Sequence, residues 1–216
     1  MKIVAAKKIL KVNDQLAAEN RAKLDAAGVF GVNVVGSPGS GKTTLLEALF
    51  AELHGRLKPA VIEGDIAGSI DAQRIEALGV PVVQINTDGA CHLDAAMVAS
   101  AMGELDLSTV DVLFIENVGN LVCTAGFDLG ERLRIVVLST PEGDDKAVKY
   151  PAIFQGSDAL FITKTDLTPH LNFKVARITA DMKRLAPESP VFQVSALKGH
   201  GIPEAANWLA EKVGSR

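Results

Sequence analysis

No apolar run in the 216-residue chain is long enough to span a bilayer. No basic run stands out, and the net charge is −4, which argues against nucleic acid as the main partner. The start, Met-Lys-Ile-Val-Ala-Ala-Lys-Lys, has basic residues but no extended apolar stretch behind them. It does not read as a secretory signal, so the expected compartment is the cytoplasm. Cysteine is scarce. The two present, Cys91 and Cys123, are not expected to form a disulfide in that compartment. They read as buried apolar residues, redox thiols or metal ligands. There is no Cys-x-x-Cys, no His-rich tract near the start, no internal repeat, no linker and no low-complexity segment. What remains is 48% apolar and 22% charged, the balance of a soluble globular chain large enough for one α/β domain.

That domain is organised around one stretch. Gly36-Ser37-Pro38-Gly39-Ser40-Gly41-Lys42-Thr43 fills every fixed position of the phosphate-binding pattern G-x-x-x-x-G-K-T. Glycines let the backbone fold so that successive N–H groups point at a phosphate. Lys42 brings positive charge to the outer phosphates, the Thr43 hydroxyl can hold Mg²⁺, and the helix that begins here adds its positive end. The setting is right. A β-branched apolar run, Val-Phe-Gly-Val-Asn-Val-Val, precedes the loop, and from Thr44 onward Leu45, Leu49 and Leu53 recur every four residues.

The alternation is βα throughout, so we expect a mostly parallel sheet sandwiched by helices. Residues 7–27 read as an N-terminal helix with a partial apolar face of Leu10, Val12, Leu16 and Leu24, and with Asn13 or Asp14 as a cap or break. This divides the chain into a helical extension, 1–28, and a nucleotide domain, 29–216. Further helices are expected at 70–78, 93–103, from Lys146 to Phe154, at 171–185 and at 205–213. In a parallel sheet the strand C-termini share one ligand-binding edge. At that edge Pro59-Ala-Val-Ile-Glu63-Gly-Asp65 ends in two acids. Asp65 would reach Mg²⁺ or the attacking water; the alternative is a cap for the segment from Ser69. Val110 to Glu116 is the most convincing buried strand, and its terminal Glu116 is the second expected Mg²⁺ ligand. With Lys42, these acids are the catalytic candidates. Gly119 is placed to approach the outer phosphate. After the strand from Asp158 come Thr163, Lys164 and Asp166. The Asp166 carboxylate can accept two hydrogen bonds from guanine, and adenine offers no such pair.

Cys91 and His92 follow one strand and Cys123 follows another, on loops that leave the same sheet edge. Thiolates and an imidazole suit Zn²⁺ or Ni²⁺ better than Mg²⁺. Three ligands leave a position for water or for a second copy of the chain. Two packed cysteines and a capping histidine are the alternative.

Taken together, these segments resemble the hydrogenase nickel-incorporation accessory GTPases of the HypB type. The resemblance rests on the phosphate loop, Glu63-Gly-Asp65, Gln84-Ile-Asn-Thr, Cys91-His-Leu-Asp-Ala, Glu116-Asn-Val-Gly-Asn-Leu-Val-Cys123, Phe127-Asp-Leu-Gly-Glu and Glu142-Gly-Asp-Asp-Lys through Pro151. It implies a P-loop GTPase that dimerises with nucleotide and carries a metal at the dimer interface; slow turnover is expected separately, because no arginine finger or water-orienting glutamine is evident in the sequence. It also implies partners: other maturation proteins and the [NiFe]-hydrogenase large subunit that receives nickel. By position, Cys91, His92 and Cys123 would hold the metal, and Lys42, Thr43, Asp65 and Glu116 would serve phosphate and Mg²⁺. Thr163, Lys164 and Asp166 would read the base, with Ser195-Ala196-Leu197 as a second guanine loop. Thr163 stands where the family's guanine motif begins with Asn, so weakened guanine preference is expected. Three other readings are a urease-type nickel GTPase, a P-loop small-molecule kinase with structural cysteines, and a metallochaperone that binds nucleotide without using it.

Overall fold

Strand β1 (Phe30–Gly36), buried along its whole length, sits inside a seven-stranded sheet of order β3-β2-β4-β1-β5-β6-β7. The other strands are β2 (Pro59–Asp65), β3 (Val82–Asn86), β4 (Val112–Glu116), β5 (Leu133–Ser139), β6 (Ala159–Thr163) and β7 (Val191–Gln193). Every registered pairing is parallel. All strands therefore end at one edge, which collects the phosphate loop and both cysteine-bearing loops. The computed structural model describes residues 6–66 and 68–215. Among them, no helix is long and apolar enough to cross a membrane.

Helices cover both faces. On one, α2 (Lys42–Leu53) and α8 (Ile202–Gly214) pack Leu45, Leu49, Leu53 and Leu209 against Val32, Val34 and Phe114. Each fully buried leucine contributes about 1.5–3 kcal/mol, so α2 seats Lys42 and Thr43 on a fixed base. On the other face, α1 (Ala6–Ala27) and α4 (Ala95–Met102) set Leu24 and Val98 against Ile62 and Ile115. Beside them, α6 (Pro151–Gln155) and α7 (Val175–Leu185) cover Val136 and Leu160. Two short helices, α3 (Ile70–Glu76) and α5 (Lys146–Lys149), complete the set.

Several expected boundaries move. The helix expected from Lys146 to Phe154 is two pieces, because Pro151 starts a new helix after the non-helical Tyr150. The helix expected from 171 begins at Val175, after a 3₁₀ stretch at Thr165–His170. The one expected from 93 begins at Ala95, with Asp94 capping it by accepting the Met97 N–H. The largest correction concerns α1. Neither Asn13 nor Asp14 breaks it, and Val12 is 56% exposed. The buried stripe is Asn13, Ala17, Asn20 and Leu24, so half of that face is polar and escapes a search for apolar periodicity.

Candidate nucleotide and metal site

The phosphate loop turns out of β1 through Gly39 and Gly41, at φ of 72° and 90°, where side chains with a Cβ are strained. Lys42 and Thr43, the first residues of α2, are buried. The Thr43 hydroxyl donates to Glu116 Oε1 at 2.8 Å. The register of β2 on β4 sets Glu63 directly beside Glu116. Each acid has a buried carboxylate oxygen, Glu63 Oε2 and Glu116 Oε2, without a hydrogen-bond partner. Orphaned carboxylate oxygens beside a threonine hydroxyl and a lysine fit a hard divalent cation such as Mg²⁺. Asp65 is turned elsewhere: its oxygens accept the Ile66 and Gly68 N–H groups at 2.7 and 2.9 Å. It caps its own loop, so of the two acids ending β2, Glu63 is the one standing beside Glu116.

Burial, with Glu116 and Asp65 nearby, pushes the Glu63 carboxyl up from 4.5 to about 8. Burial raises Glu116 from 4.5 to about 7, although Lys42 and Thr43 pull it down. Without a cation both acids hold protons in the folded chain that they release when it unfolds. Their stabilising contribution is therefore complete below pH about 4.5 and is lost as pH rises through about 7 and 8. In nucleotide-free protein with chelator, we expect thermal stability to fall across that window, and to fall less steeply in Glu63→Gln. Parallel melting-versus-pH curves for the two proteins would contradict this.

The base-side loop is strapped to the phosphate loop. The Thr163 hydroxyl donates to Ser40 O at 2.5 Å, and Lys164 Nζ donates to Gly39 O at 2.7 Å. Lys164 is held at φ 57°. Thr163 thus spends its hydroxyl on the phosphate loop. The Asp166 carboxylate accepts the Ser195 hydroxyl at 2.6 Å, which holds its pKa below the ordinary value. Thr44, Thr163, Lys164, Asp166, Ala196 and Leu197 help line a cavity of about 310 Å³, with Leu197 largely exposed.

The structure brings Cys91, His92 and Cys123 together, with one donor atom from each within 4.8 Å of the others. Cys91 and His92 precede α4 and are not helical, so the side chains of these two neighbours can face one point. Cys91 Sγ is 3.6 Å from His92 Nδ1, and the His92 ring lies on Phe127 at 3.9 Å between centroids. A tetrahedral ion with metal–sulfur bonds of about 2.3 Å spaces its ligands roughly 3.5–3.8 Å apart. The three donors fit such an ion with a slight inward movement. In the metal-free state, the Cys91 thiol beside it raises the pKa of Cys123.

Two residues outside the expected site join its halves. Asn117 follows Glu116 directly, and its Oδ1 accepts the N–H of Leu93, next to His92, at 3.1 Å. The Asn120 backbone N–H donates to Gly36 O at 2.9 Å, while its Oδ1 accepts the Cys123 N–H at 3.0 Å. Gly119, expected near the outer phosphate, lies against the loop itself: a Cβ there would stand 2.7 Å from Pro38 N. Two asparagines flanking a glycine after an acid-ended strand were the available signal. Arg74 pairs with Asp71 at 3.0 Å and with Glu47 of α2 through two fork nitrogens at 2.9 and 2.6 Å, and also reaches Thr44.

A phosphate loop between a central parallel strand and a buried helix, with acids ending β4 and β2, defines a P-loop nucleotide-binding domain. Residues 31–193 match the family described as CobW/HypB/UreG, nucleotide-binding domain. The chain belongs to that family, in its HypB group. It is 51% identical to the hydrogenase maturation factor HypB of Azotobacter vinelandii over 96% of this chain and 69% of the relative. It is 45% identical to a Helicobacter hepaticus protein named hydrogenase/urease maturation factor HypB, over 95% of this chain and 86% of the relative. The crystal structure of HypB from Helicobacter pylori in complex with nickel superposes with a TM-score of 0.90 at 42% identity, covering 94% and 95% of the two chains.

Proposed function

We propose that this chain is a GTPase that couples GTP hydrolysis to delivery of nickel during [NiFe]-hydrogenase maturation. It would act in the cytoplasm as a nucleotide-dependent homodimer, with other maturation proteins and the hydrogenase large subunit as partners. The observation that carries the reading is the shared wiring: Asn117 and Asn120 tie the phosphate side to the backbone beside His92 and at Cys123. The names of the relatives and the nickel-bound neighbour support nickel as the cargo.

Lys42 and the phosphate-loop amides would hold the phosphates, and Thr43 and Glu116 would hold Mg²⁺, with Glu63 beside them and Asp65 after its loop rearranges. Mg²⁺ would neutralise charge developing on the transferred phosphate. Cys91, His92 and Cys123 would hold Ni²⁺ or Zn²⁺, with the remaining position completed by water or a second copy. A change in the loop after Glu116 would move the metal ligands and the dimer affinity together.

Steady-state hydrolysis tests the enzymatic half. We expect slow turnover of GTP in preference to ATP, with the preference lost in Asp166→Ala. A site built on buried hydrogen bonds rejects an unmatched base by about 10⁴–10⁵, and Thr163 is expected to keep the native preference below that. Equal use of ATP, or stoichiometric phosphate transfer to a small acceptor, would favour the kinase reading. Urease as a second destination is supported by the name of the Helicobacter hepaticus relative.

A further inference from the structure

The buried face of helix α1 is half polar. Asn13 and Asn20 lie seven residues apart, two turns along one face, and both are buried. Each bridges the same two segments. Asn13 Oδ1 accepts the Ala95 N–H at 2.9 Å, and its Nδ2 donates to Asp128 O at 2.8 Å. Asn20 Nδ2 donates to Ala95 O at 2.8 Å and to Leu129 O at 3.1 Å.

Those segments carry the metal group. Ala95 opens α4, three residues after His92. Asp128 and Leu129 follow Phe127, whose ring supports His92, on the loop that leaves Cys123. Arg21, on the next position of α1, grips the Asp128 carboxylate at 2.8 Å and the Glu131 carbonyl at 3.1 Å. The fit is close. A Cβ at Gly130 would stand 2.6 Å from Asn20 Cβ and 2.8 Å from Ala17 O, and Gly130 is held at φ 97°. The Asn13 carboxamide uses both its acceptor and its donor, on the Ala95 N–H and the Asp128 carbonyl, while the Asn20 amide nitrogen donates to two carbonyls, one on each segment.

We propose that α1 is a clasp that sets the spacing between the Cys91–His92 segment and the Cys123–Phe127 segment, with Asn13 and Asn20 as positioning residues for metal binding. The clasp rests on the reading of Cys91, His92 and Cys123 as a metal site. Groups that hydrogen-bond a metal ligand commonly alter affinity by about 10–100-fold without touching the ion; Asn13 and Asn20 act one step further out, through the backbone that carries the ligands.

The test uses the full chain, NiCl₂ alone and a competing chelator, reading affinity and the thiolate-to-nickel absorption band. Asn13→Leu and Asn20→Leu keep bulk and remove both bonds. Asn13→Ser and Asn20→Ser are milder on folding and serve if the leucine variants fail to fold. Leu209→Ala, in the core under α8 on the opposite face, is the control for a general loss of thermal stability away from the metal loops. We expect the asparagine variants to lose Ni²⁺ affinity by about 10–100-fold with an altered band and unchanged GDP binding, and Leu209→Ala to keep both metal readouts. Unaltered nickel affinity and band in the asparagine variants, or an equal loss in Leu209→Ala, would overturn the clasp. If Cys91→Ala leaves nickel binding of the parent protein intact, the metal reading itself fails. A cysteine-dependent site that ignores Asn13 and Asn20 refutes the clasp alone.

Discussion

Cys123→Ala is expected to lower Ni²⁺ affinity by more than the roughly 10–100-fold seen when an outer-shell partner is lost, with nucleotide binding unchanged. The reason is geometric. Cys123 is the only one of the three donors on its loop, so its loss leaves Cys91 and His92, adjacent on a single loop. The Cys123 N–H to Asn120 contact is backbone, so alanine keeps the loop in place and isolates the sulfur. Chelator competition followed at the thiolate absorption band measures the effect. Undiminished affinity would return both cysteines to the role of packed apolar residues.

Lys42→Ala carries the other large effect. Lys42 is a buried cation at the start of α2, close enough to the acids ending β2 and β4 to lower the pKa of both. Removing it takes away the positive charge facing the outer phosphates and strengthens the repulsion between Glu63 and Glu116. Loss of one group stabilising transition-state charge costs about 10²–10³ in turnover, and we expect at least that loss for GTP hydrolysis, read by phosphate release. If hydrolysis drives delivery, transfer of nickel to an acceptor apo-enzyme falls with it. Transfer that persists at full rate in Lys42→Ala would make the nucleotide a structural ligand only.

Much of this was legible from local pattern. The phosphate loop is contiguous, and its glycines, lysine and threonine announce themselves in eight residues. The convergence of Cys91, His92 and Cys123 followed from strand ends sharing an edge, without knowledge of strand order. What stayed hidden depends on contacts between distant segments. Glu63 lies beside Glu116 only because β2 is next to β4 in that register, and no local signal ranks it above Asp65. Asp65 reads as a ligand from its place at the end of β2, and only the structure shows its oxygens accepting the Ile66 and Gly68 N–H groups. Thr163 read as a weakened base contact, but its partner, Ser40, is 123 residues away. The polar face of α1 was invisible to hydrophobic periodicity, since Asn13 and Asn20 occupy positions where apolar residues were sought.

On this proposal nucleotide state and metal geometry are coupled through the loop from Glu116 to Cys123. The most direct measurement is Ni²⁺ affinity of the purified protein with GDP and with a non-hydrolysable GTP analogue, run beside sedimentation, with Cys91→Ala and Cys123→Ala as controls. Coupling between two sites commonly amounts to about 5–150-fold. We predict a cysteine-dependent difference in that range that tracks dimerisation. Identical metal affinity and identical sedimentation in the two nucleotide states would contradict the account.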